Sequence, residues 1–214
     1  MPQFDDKHVK ICGGTVVWDG VTRPDIQEQG GNAGKPKWTL KVVFDPQNPD
    51  VALYHALSTQ TLASSQFRGQ LPAGGYMPIG VCRPDEFNGL FPGWPVVSFK
   101  TTLRCPDVYN EAGQLLDPMQ YGPLMFSGQK VDVLAHCYEY NTKSKGIGAG
   151  MDAFAIIASA KAPRLEIGGG GIATASAFGG QPPAAQPAYG QPPAQAQPAY
   201  GQPPAQAHNF LPSN

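Results

Sequence analysis

Residues 137–151 read CYEYNTKSKGIGAGM. Tyr138 and Tyr140 stand two apart, so in a strand both rings project from one face, and Lys143 and Lys145 follow in a polar turn. Rings beside ammonium groups do the chemistry of holding rather than of bond-making. A ring stacks on any flat base and an ammonium follows a phosphate, and neither needs to read a sequence. Two further stretches supply cations at strand spacing. In KWTLKVVF, Lys37 and Lys41 alternate with Trp38, Leu40, Val42 and Phe44. In VVSFKTTLR, Lys100 and Arg104 alternate with Val97, Phe99, Thr101 and Leu103. Trp94, in the loop LFPGWP, is evenly poised between anchoring its loop and offering a platform. Lys37, Lys41, Trp94, Lys100, Arg104, Tyr138, Tyr140, Lys143 and Lys145 are therefore the candidate contacts for a single-stranded nucleic acid. Each has an ordinary alternative, because Tyr and Lys also suit exposed strands for β propensity and solubility.

Nothing in the sequence gathers acids, bases or ligands for catalysis. His8, His55, His136 and His208 sit in unrelated contexts with no HExxH spacing, and Cys12, Cys82, Cys105 and Cys137 form no CxxC pair. The thiols read as free and buried, and neither a metal nor a cofactor is expected. GIGAGM has the composition of a phosphate loop but lacks the GxxxxGK[ST] pattern. Asp85, Glu86 and Asp132 read as solvated acids, and Arg68 and Arg83 as solvated bases. Trp18, Trp38 and Phe99 read as core. Tyr76, Phe87 and Phe91 lie in glycine-rich loops, where they either anchor the loop or stack. No enzyme is expected.

The elements that must position these side chains follow from hydrophobic period. Residues 7–18 read as a strand broken by the glycine pair Gly13–Gly14, with a polar loop after it as far as Pro36. KWTLKVVFD is a half-buried strand. Asp45 or Asn48 can cap, and Pro46 or Pro49 can open, a helix over about residues 51–66. Residues 68–95 are loop-rich. VVSFKTTLR is a strand, a hairpin turn falls near Asn110–Gly113, and QKVDVLAHCYEY is the longest strand, with Val131, Val133, Ala135 and Cys137 facing in. GIGAGMDAFAIIASA returns as a strand, alone or followed by a short helix. Strands of this kind around one helix predict a mainly β fold, a small closed or nearly closed barrel.

The 214 residues divide into unlike parts. Charged residues make up only 14%, and the last of them is Glu166, so residues 168–214 carry no formal charge apart from what His208 acquires. That stretch repeats GQPPAAQPAY, GQPPAQAQPAY and GQPPAQAHNF, which lack the apolar face a core requires. Residues 1–167 are expected to fold, and residues 168–214 to form a disordered Gly/Gln/Pro/Ala-rich tail. Net charge is −1, with 15 basic and 16 acidic residues, so any polyanion must be held by local placement of charge. No apolar run is long enough to cross a membrane and no basic-then-apolar leader opens the chain, which predicts a soluble intracellular protein.

The order of these motifs resembles the phage-encoded single-stranded DNA-binding proteins built on one elaborated OB fold. Tyr121-Gly122 to Gly128, then Val131 and Val133, Tyr138 and Tyr140, and Lys145-Gly146-Ile147 with Gly150-Met151 match that family's pattern in sequence order. The resemblance spans roughly residues 8–160. It implies a five-stranded OB-type barrel with one inserted helix, and protection of single-stranded DNA in phage replication, recombination or repair. It also implies a location in the cytoplasm of the infected host cell, as a monomer or homodimer. The tail departs from the family, which often ends in an acidic segment with a terminal aromatic. Here the chain ends AHNFLPSN, and Phe210–Leu211 is a candidate docking peptide for a replication protein. The competing expectation, from another class, is a virion or assembly protein with a Pro-rich interaction arm.

Overall fold

The computed structural model describes residues 5–28, 32–142, 144–160 and 162–167. The repeat stretch 168–214, with Phe210 and Leu211, lies outside the described residues, as does Lys143. Strand β1 runs from His8 to Ile26 and β2 from Pro36 to Val43. Helix α1 (Pro49–Ser64) follows, then short β3 (Ile79–Val81), β4 (Pro95–Thr101), β5 (Asp107–Asn110) and β6 (Leu115–Leu116). A one-turn helix α2 (Pro118–Tyr121) leads to β7 (Lys130–Asn141) and β8 (Lys145–Ile156). No described helix is long and apolar enough to cross a membrane.

β1 is longer than its sequence suggests, because its turn formers bend the strand instead of ending it. At Gly13 (φ 69°) the register slips between Ile11 and Gly14. Gly14 has no room for a side chain, since a Cβ there would lie 2.7 Å from Phe44 Cε1. A second slip puts Val17 and Trp18 together against Lys41. Beyond it, Asp19 Oδ1 accepts the amides of Val21 and Thr22 at 2.8 and 3.2 Å, which carries the chain through the irregular stretch where a loop was expected. Val21 is buried there.

The strands lie side by side in the order β3-β4-β2-β1-β7-β8-β5-β6, and a parallel contact between β4 and β8 at Lys100 and Gly150 closes the ring. The result is a five-stranded barrel of β1, β2, β4, β8 and β7, the Greek-key arrangement of an OB fold. β3 continues the free edge of β4, and the β5–β6 hairpin continues that of β8 through parallel pairing with Ala153–Ile156. Inside are Ile11, Leu40, Val42, Phe99, Val133 and Phe154, each essentially without exposure. Val131, Ala135 and the partly buried Cys137 also point in, as the alternation predicts.

Helix α1 starts two residues earlier than predicted, because Pro49 takes its first turn under an Asn48 cap whose side chain accepts the Asp50 amide at 2.9 Å. The same Asn48 donates to Cys12 O at 2.8 Å, and Asp50 accepts the Cys12 amide at 3.0 Å, so the cap also fastens the helix to β1. Tyr54 is fully buried, 6.0 Å from the Phe99 ring, and its hydroxyl donates to His136 O.

A second, smaller apolar cluster covers part of the barrel's outer wall. Val17, Val43, Cys82 and Val96 are buried beneath Phe87, Phe91 and Trp94 of the loop after β3. Leu103, expected to face inward with Phe99, is 95% exposed, because β4 ends at Thr101 and the alternation ends with it.

Candidate nucleic-acid interface

The outer face of β7 carries His136, Tyr138 and Tyr140, and across the ladder each opposes a glycine of β8: Gly150, Gly148 and Gly146. This pairing explains the glycine spacing of GIGAGM. A Cβ on Gly148 would sit 2.5 Å from Tyr138 Cζ, and one on Gly150 would strike the His136 ring, so the rings lie across bare backbone. The loop before β3 docks at the end of this track. Tyr76 N donates to Lys145 O at 3.1 Å, Ile147 N donates to Tyr76 O at 3.0 Å, and Gly146 (φ 140°) admits the approach. Tyr76 and Tyr140 rings then meet at 6.2 Å, as do His136 and Tyr138. The product is a row of four rings along one side of a channel.

Cations form the other side. Lys37 of β2, Lys100 of β4 and Arg104 just beyond it line, with Tyr76, Tyr138 and Tyr140, a groove of about 850 Å³. Gln27 and Asn32 enter it from the β1–β2 connection and Ser144 from the β7–β8 turn, the two loops that flank the ligand face in OB folds. Lys37 Nζ is 3.5 Å from Asp25 and Arg104 is 3.2 Å from Asp107, exposed pairs that hold their partners weakly. Lys100 makes no ion pair among the described residues. Burial pushes the Tyr138 and Tyr76 phenols above their ordinary pKa, so at neutral pH both rings are uncharged and repel no phosphate.

The structure thus brings Lys37, Lys100, Arg104, Tyr138 and Tyr140 to one channel and leaves other candidates elsewhere. Lys41 shares the outer face of β2, but its ammonium sits 4.7 Å over the Phe87 ring and 3.8 Å from Glu86, so it braces the covering loop. Trp94 packs 5.3 Å from Phe91 over the small outer cluster and is a loop anchor. Lys145 is exposed but shares strand parity with Ile147 and Met151, on the face of β8 away from the glycines. Arg68 is exposed, and Arg83 lies 3.8 Å from both Asp85 and Glu86.

Two expectations are corrected here. Trp18 is not core: it is 59% exposed, because the slip that sets Val17 and Trp18 against Lys41 turns it onto the outer wall. There the indole lies beside Gly20, whose Cβ would be 3.4 Å from Trp18 Nε1. His8 and His136 are not in unrelated places: they are ladder partners with rings 5.8 Å apart, and both approach Asp152. Sequence reasoning also passed over Leu103 as a groove residue, and found Tyr76 only as an aromatic in need of a reason.

The architecture is thus an OB-type barrel with a channel of rings and cations across its outer wall. No family model and no curated protein matches this sequence. Among solved structures, the chain is similar to the single-stranded DNA-binding protein from bacteriophage Enc34 in complex with single-stranded DNA. That likeness has a TM-score of 0.58 and 17% identity, covering 71% of this chain and 86% of that one. The same phage protein in another structure gives a TM-score of 0.58 at 16% identity, covering 81% of this chain and 91% of that one. At such identities the likeness establishes the fold.

Proposed function

We propose that this protein binds single-stranded DNA without sequence preference and shields it during phage DNA replication, recombination or repair. The observation that carries the reading is the single channel in which Tyr76, Tyr138 and Tyr140 face Lys37, Lys100 and Arg104. Bases stack on the rings while phosphates follow the cations, a mode of holding that does not depend on base identity. The solved relatives support it, since the bacteriophage Enc34 protein of the same fold holds single-stranded DNA. On this reading the protein works in the cytoplasm of the infected host. The tail reaches replication partners through Phe210–Leu211, which a pull-down with and without residues 207–214 tests.

Titration of fluorescent oligo-dT at several salt concentrations tests the main claim. Three groove cations correspond to a slope of log affinity against log salt of about −2, at roughly 0.7 per neutralised phosphate. Replacing Tyr138 with Ala is expected to weaken binding by roughly 1–3 kcal/mol. A folded Tyr138→Ala protein with unchanged affinity, or affinity indifferent to salt, would remove the channel from consideration.

A further inference from the structure

His8 opens β1 and faces His136 of β7 across the ladder. Opposite them, β8 carries one extra residue: Leu134 pairs with Ala153 but Ala135 pairs with Met151, which leaves Asp152 out of the ladder. Its carboxylate is turned toward both imidazoles, with Oδ2 2.7 Å from His136 Nδ1 and 3.5 Å from His8 Nε2. One donor atom from each of the three lies within 4.8 Å of the others. The two rings meet edge to face, at 72°, which lets nitrogens from both address a common point. His8 Nδ1 is held 2.8 Å from the Asp5 carboxylate, so Nε2 is the nitrogen left to face Asp152. That is the carboxylate–histidine support found behind metal-ligating imidazoles. An open cleft of about 430 Å³, bordered by these side chains with Gln60 and Thr61, supplies access and room for water.

We infer that His8 Nε2, His136 Nδ1 and an Asp152 oxygen form a binding site for a divalent transition-metal ion of the Zn²⁺ class, with a further position open to water. Two imidazoles and one carboxylate suit Zn²⁺, Co²⁺ or Ni²⁺, whereas Mg²⁺ and Ca²⁺ seek all-oxygen shells. Such an ion joins the start of β1 to β7 and to the bulge of β8. His136 and Asp152 also border the proposed DNA channel, so the ion fixes the ring at its end. The site itself does not depend on whether DNA is the ligand.

The test uses the full chain, stripped with chelator and titrated with ZnCl₂ by calorimetry and with CoCl₂ by its visible absorption. One ion per chain is expected, undisturbed by millimolar Mg²⁺, with a rise in thermal midpoint on Zn²⁺ addition. His8→Gln and Asp152→Asn should each abolish that rise, and Asp5→Asn should weaken binding roughly 10-fold or more. Matching thermal midpoints in chelator establish that the variants fold. His8→Gln and Asp5→Asn, at the exposed start of the strand, keep the test decisive if Asp152→Asn does not fold. Absence of binding at 100 μM of either metal overturns the proposal. So does binding that survives unchanged in folded His8→Gln, which would place the ion elsewhere.

Discussion

Trp18 carries its indole on the outer wall of β1, beside Gly20 and one strand from Lys41. Trp94 is wedged against Phe91 over a buried patch. Neither indole lines the channel; if DNA runs on from it past Lys41 along the outer wall, oligo-dT should quench Trp18 emission more than Trp94 emission. Quenching that persists in Trp18→Phe but vanishes in Trp94→Phe would reverse these assignments. Among the thiols, burial pushes Cys12 and Cys137 from 9.0 up to about 11. Reaction with a thiol reagent goes through the thiolate, so at pH 8 each should react roughly 100-fold more slowly than an unperturbed cysteine. The same shift bears on stability. Between about 9 and about 11 the unfolded chain releases these protons while the folded chain keeps them, so stability falls as pH rises through that window. A Cys12→Ser/Cys137→Ser protein should show a shallower alkaline fall in thermal midpoint, and an identical fall would deny the linkage.

At the level of strands, β7 and β8 work as a matched pair, one supplying rings and the other the absence of side chains beneath them. Gly148→Ala should displace Tyr138 while its ring swings aside, so oligo-dT affinity falls by roughly the 1–3 kcal/mol of one stacked base with little loss of stability. Gly14→Ala presses instead on Val42 and Phe44 inside the barrel and should cost about 1–3 kcal/mol of stability, with affinity per folded molecule intact. Chemical denaturation beside DNA titration separates the two, and the opposite pattern would refute the division of labour. These strands also show what a sequence discloses. β7 was readable because its period of two holds from Val131 to Cys137 with Leu134 as the apolar exception, so inward valines and outward rings sort themselves. α1 was readable from its cap and proline. β1 was not, because each slip resets parity, and Trp18 crosses to the outer wall with no local sign beyond Gly13–Gly14. Lys145 is near the tyrosines in sequence, but in the returning arm of the hairpin it takes the strand parity opposite to the glycines they face.

Across the molecule, the ladder that sets His8 against His136 joins residues far apart in the chain, and no spacing rule could have announced it. The same holds for Tyr76, which reaches Gly146 only once the barrel exists. With a net charge of −1 the protein has no general pull on a polyanion, so the proposed binding of DNA rests on the cations collected beside the rings. The barrel closes between β4 and β8 through one residue pair, and that pair is Lys100 with Gly150, at the channel itself. A joint so slight is where the wall should breathe, and amides near Lys100 and Gly150 should exchange hydrogen faster than those of the β1–β2 ladder. A polymer lying across the opening touches both lips and acts as a clasp. Its arrival should slow exchange there more than anywhere else, and loosening the lips should weaken the grip without altering a single ring.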